Sequence, residues 1–106
     1  MALDIHLGPN EEQAARSARV IAIDAVAHRQ LFDRRLFHEI DCPLWRRMQD
    51  FSADAVYLSD EVARLISEVE ILSERASPAT AGILRQVAEI GRRALRERWN
   101  VYAFSD

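Results

Sequence analysis

The chain of 106 residues has no lysine, a single cysteine and three glycines, and it contains no run of about 18 consecutive apolar residues. With Cys42 alone, an intrachain disulfide, a CxxC redox pair and a cysteine zinc site are excluded within one chain. No segment has the length and apolarity of a membrane span, and the opening MALDIHLG carries Asp4 where a signal peptide would carry a basic flank and a long apolar stretch. The expected location is the cytoplasm, where thiols stay reduced.

Missing motifs exclude further classes. There is no GxGxxG, no GKS or GKT, no glycine-rich nucleophile elbow and no HxxxH or HExxH arrangement of His6, His28 and His38. Standard phosphate loops, serine nucleophiles and helical zinc sites are therefore without support. All fourteen basic side chains are arginine, and seventeen acids bring the formal charge to −3. That balance argues against bulk attraction to nucleic acid. Arg92, Arg93, Arg96 and Arg98 run around a helix rather than along one row, with Glu89 and Glu97 between them, which suits a solvated face.

A chain this long makes one domain, 1–106, able to bury roughly two thirds of its unfolded surface. Leu3, Ile5 and Leu7 alternate with Asp4 and His6, the period of a strand with one buried face. Residues 10 to 18 leave helical turn and loop open. Val20 to Ile23 are apolar and β-branched enough for a second strand. Asp24 then caps a helix over about residues 25 to 36, with Val26, Leu31 and Phe32 inward and His28 and Arg29 toward water. Asp41, Cys42 and Pro43 start a short helix carrying Leu44, Met48 and Phe51 on one side.

The two strongest helices come next. Ser59 opens the first, with Asp60 and Glu61 in a first turn whose dipole favours anions. Val62, Leu65, Ile66, Val69 and Leu72 form its apolar stripe. Ser77 and Pro78 open the second, which runs to about Trp99 with Ile83, Leu84, Val87, Ile90, Ala94 and Leu95 on its apolar side. A link this short makes the pair an antiparallel hairpin, its acidic and basic outer faces side by side. Asn100 suits the left-handed end of a helix, and VYAF at 101 to 104 reads as a final strand. The expected fold is α+β: about three short strands packed on one face by about four helices.

Candidate chemistry concentrates in QDFSADAVYLSDE, residues 49 to 61. Asp60 and Glu61 are accounted for by the helix start. Asp50 and Asp54 lie four apart, in mutual reach if the short helix continues through them, and two acids can hold a metal or share a proton. The segment lacks the glycine and alternating acids of a calcium loop. Opposite the helices, a three-stranded sheet would expose an apolar patch to which the last strand offers either Val101 and Ala103 or Tyr102 and Phe104, as contact surfaces between proteins do.

Three segments, MALDIHL, PLWRRMQDFSADAVY and NVYAFSD, resemble a family of small bacterial proteins of unknown function, some similar in size and style to immunity proteins that neutralise toxins. The resemblance spans the chain, makes Asp50, Asp54, Tyr57 and Asp106 the matched positions, and implies no catalytic residue. The leading expectation is a non-catalytic, immunity-like interaction module without a cofactor. Its contacts are Asp50, Asp54, Tyr57, Asp60, Glu61, Tyr102 and Phe104, and its partner is a basic protein or a second copy in a homodimer. The alternative is a small dimeric metal-dependent or hydrolytic enzyme using Asp50 and Asp54.

Overall fold

The first and last strands of the chain sit side by side in the middle of the sheet. In the computed structural model, which describes residues 2–105, β1 (Ala2–Gly8) pairs antiparallel with β2 (Ile21–Asp24) on one side and β4 (Asn100–Ser105) on the other. A fourth strand, β3 (Ala55–Tyr57), pairs with β4, giving the order β2-β1-β4-β3. The sheet therefore has one strand more than the sequence pattern indicates. Three residues embedded among Asp and Ser show no periodicity, and β3 exists because β4 offers it a free edge.

Leu3 stands opposite Ile23, Ile5 opposite Ala103, and Leu7 opposite Val101, with Ala55 and Tyr57 continuing the same face across β3. All eight of these side chains are buried in one apolar cluster. Helices fill the space behind them. α4 (Val62–Arg75) buries its whole stripe, Val62, Leu65, Ile66, Val69 and Leu72. α5 (Pro78–Glu97) begins where Ser77 Oγ accepts the Thr80 N–H at 3.4 Å, with Pro78 in the first turn. The hairpin closes tightly at Gly91, where an added Cβ would stand 2.7 Å from Ile66 Cγ1. One pairing links the outer faces as anticipated, Arg92 to Glu70 at 2.8 Å.

Elsewhere the chain departs from its periodicity. α1 (Glu11–Arg16) does form, capped by Asn10, whose side chain accepts the Gln13 N–H. Asp24 caps α2 (Ala25–Leu31) through the Ala27 N–H at 2.8 Å. The helix expected to reach 36 breaks, because Asp33 caps a new turn, α3 (Arg34–Phe37). Val26, expected inside, is exposed, and His28, expected in water, is buried together with Leu31. His28 sits between Phe32 and Phe51, each ring centroid 4.7 Å away. Its Nε2 donates to the Met48 carbonyl at 2.7 Å, since a carbonyl can only accept.

The short helix after Pro43 is a 3-10 turn, Trp45–Met48, burying Trp45 and Met48. Glu68 of α4 reaches under it, its buried Oε1 accepting the Trp45 backbone N–H at 2.9 Å. Arg98, not Asn100, adopts the left-handed conformation (φ 57°) that ends α5, and Leu95 stays exposed. Asn100 instead opens β4, its side-chain oxygen accepting the Ser59 N–H at 2.9 Å. No helix among the described residues is long and apolar enough to cross a membrane.

Candidate functional site

Asp50, Asp54 and Glu61 of the 49 to 61 segment each meet a different partner. The 3-10 turn stops at Met48, so no helix carries Asp50 and Asp54 on one face. Asp50 Oδ1 accepts from both the Ser52 Oγ at 2.7 Å and the Ser52 N–H at 2.9 Å, and these bonds hold its carboxyl below the usual range. Asp54 Oδ1 accepts the Ser105 N–H at 2.8 Å, tying the approach to β3 to the end of β4. Ser105 Oγ donates back to the Phe51 carbonyl at 3.2 Å. The enzyme alternative required Asp50 and Asp54 to act as a pair, and their bonding divides them. Among the described residues no group of three or more His, Cys, Asp or Glu is placed to hold a metal ion.

Glu61 lies just before α4, which starts at Val62. Arg47 Nη1 and Nη2 donate to its two oxygens at 2.9 and 2.5 Å, and the Leu58 N–H donates to Oε1 at 3.0 Å. Arg47 hydrogen bonding, with the Leu58 N–H second, draws the Glu61 carboxyl down to about 2. Asp60 is exposed in the turn beside it. Tyr57 is fully buried on the inner face, its hydroxyl donating to the Leu44 carbonyl at 2.7 Å, and burial pushes its phenol up. Tyr57 is therefore not available as a contact residue, whereas its neighbours Val56 and Leu58 are 39% and 51% exposed. Asp106 lies outside the described residues.

The outer sheet face brings together the other predicted residues. Register places His6 opposite Tyr102 and Tyr102 opposite Val56; in the next row Ala22, Asp4 and Phe104 are cross-strand neighbours. One step beyond the Ala55–Ala103 pair, the same register sets Asp54 across from Phe104. Asp4 and Asp54 are thus the residues beside Phe104 on its two neighbouring strands, the Asp4 carboxylate 3.4 Å from Arg19 and that of Asp54 on the Ser105 N–H. The Tyr102 and Phe104 rings stack at 5.7 Å and 13°, and the His6 ring lies 5.3 Å from Phe104. Tyr102 is only 5% exposed, with Asn100 Nδ2 donating to its hydroxyl at 2.9 Å, so it forms the floor of the patch while Phe104 is half-buried above it.

α1 reaches only the Gly8 end of this face, where Ala14 packs so closely that a Cβ on Gly8 would stand 2.7 Å from its backbone nitrogen. His6 Nδ1 donates to the Ser17 carbonyl at 3.1 Å, fixing that ring. Val56, opposite Tyr102 and exposed, is the member of the patch that sequence reasoning missed.

No family model, curated protein or solved structure matches the chain, so the resemblance drawn from its three segments rests on those residues alone.

Proposed function

We propose that the chain is a non-catalytic binding domain whose outer sheet face receives a basic segment of another protein. The observation that carries this reading is Phe104, half-buried over Tyr102 with Asp4 and Asp54 beside it on the neighbouring strands and the exposed Val56 in the adjacent row. An arginine or lysine of the partner would lie against the aromatic ring, since a cation is drawn to a π face, while the two carboxylates meet its N–H groups. Apolar side chains of the partner would cover Val56. The net charge of −3 speeds the approach of a basic partner.

A titration of the 15N-labelled protein with a blocked arginine-rich hexapeptide tests this. The expected result is saturable shifts centred on Asp4, His6, Val56 and Phe104, weakened by salt and by Phe104→Ser or Asp4→Asn. Shifts centred instead on the exposed acids of α4, Glu70 and Glu74, would refute the assignment of the face.

A further inference from the structure

We infer that the crevice between α1, the end of β1 and the C-terminal half of α5 is a second binding site, one for a small organic anion with a flat apolar body, such as an aromatic carboxylate. The inference does not rest on the sheet-face reading, although the two sites touch where Arg19 contacts Asp4. At about 530 Å³ the crevice falls within the range of small-molecule sites, roughly 300 to 1,000 Å³. Leu7, Val20 and Trp99 supply apolar wall, Gln13 an amide, and Arg19 and Arg93 two guanidinium groups.

Charge distinguishes this crevice. None of its described lining residues is acidic, whereas four other crevices of the molecule carry Asp33, Glu39, Glu70 or Glu89 in their walls. In a chain of net charge −3 it is a local reversal of sign. Arg92 is held by Glu70 and Glu89, but Arg93 has no ion-pair or hydrogen-bond partner among the described residues. Arg19 makes one contact, to Asp4 at 3.4 Å, beyond the usual length of a strong hydrogen bond. Arg93 is therefore free to grip a carboxylate, and Arg19 is held only by its long contact to Asp4, which a closer carboxylate would displace.

The walls are built before any ligand arrives. Ser17 Oγ donates to the Ala14 carbonyl at 2.6 Å and lies 3.3 Å from the Leu7 carbonyl, which together with the Gly8–Ala14 approach parks α1 against β1. On the other side, the left-handed turn at Arg98 and the Trp99 N–H bond to the Ala94 carbonyl at 2.9 Å fix where the half-buried indole begins. A ligand ring stacks on or against that indole, as aromatic surfaces prefer, with its carboxylate between Arg19 and Arg93.

The test is a titration of 15N-labelled protein with 2-naphthoate and with its uncharged analogue 2-naphthamide, followed at the two indole N–H signals. The expected result is a saturable shift of the Trp99 signal and none of Trp45, with the carboxylate bound about tenfold more tightly than the amide. Arg93→Gln, on an exposed part of the helix, should erase that preference while leaving the remaining spectrum folded, and Arg19→Gln should reduce it. Equal binding of acid and amide, no shift of Trp99 up to the solubility limit, or a carboxylate preference that survives both substitutions together would overturn the inference.

Discussion

Arg47 joins parts of the chain that sequence keeps apart. Its guanidinium donates to the Val56 carbonyl at 2.9 Å, pairs with both oxygens of Glu61 and lies 5.5 Å from the centre of the Tyr57 ring. Part of the outer edge of β3 is thereby occupied, which limits unwanted strand pairing there. Because the Arg47 and Glu61 side chains remain 39% and 27% exposed, solvent screening limits the pair to about 1 kcal/mol. The sign of its pH dependence follows from the depressed carboxyl, which moves from an ordinary 4.5 to about 2 on folding. Stability from this pair is fully present above pH 4.5 and is lost as pH falls toward 2. Chemical denaturation across that window should show Glu61→Gln less stable by about 1 kcal/mol at neutral pH and level with the parent near pH 2; parallel profiles would contradict this. The sequence pattern puts Asp60 and Glu61 inside a first turn opened by Ser59, whereas the helix begins at Val62 and Glu61, just before it, turns to an arginine fourteen residues earlier that spacing does not reveal.

At the scale of elements, the helical hairpin shows what periodicity can and cannot convey. Both helices, their caps at Ser77 and Pro78 and the buried stripe of α4 follow from spacing and capping chemistry. The fit between them depends on single contacts, and the two glycines of α5 separate the effects. An added Cβ at Gly82 meets nothing within 4 Å, while one at Gly91 collides with Ile66. Gly82→Ala should therefore stabilise by up to about 1 kcal/mol through helix propensity. Gly91→Ala should destabilise by about 1 to 2 kcal/mol, overpacking outweighing the same propensity gain. Urea denaturation of the two variants checks the contrast, and a stabilised Gly91→Ala would show that α4 and α5 have slack at their crossing.

The elements that spacing did not reveal share a cause. β3 is three residues long and is positioned by β4 and by the bond from Ser105 to Asp54, 51 residues away in sequence. His28 was read as a surface residue because its burial depends on Phe32, Phe51 and the Met48 carbonyl. The stop between α2 and α3 depends on which of two helical paths Asp33 caps. Strands β1, β2 and β4, by contrast, declare themselves through alternation or β-branched runs. Local pattern reports a residue's own preference; these exceptions are decided by neighbours distant in sequence.

For the whole molecule, the sheet has one side sealed by helices and one side partly open. Leu3, Ile5, Tyr57, Val101 and Ala103 are buried beneath the helices, while Val56 stands exposed beside the Tyr102–Phe104 stack. Tyr102 and Phe104 were legible as candidates from the alternation of the last strand. Their flanking by Asp4 and Asp54 was not, because cross-strand register had to be known first. The four-strand order also puts β1 and β4 at the centre of the face, so substitutions in either strand act on the same patch.

The most direct test is site-specific photocrosslinking in the native host, with the photoreactive residue at position 22, exposed on the outer face beside Asp4, and a control at exposed position 86 on α5. The prediction is a covalent product from position 22 with a partner segment of net positive charge, and none with that segment from position 86. Products from position 86 alone, or an acidic partner segment at position 22, would contradict the claim that the open side of the sheet receives a basic protein.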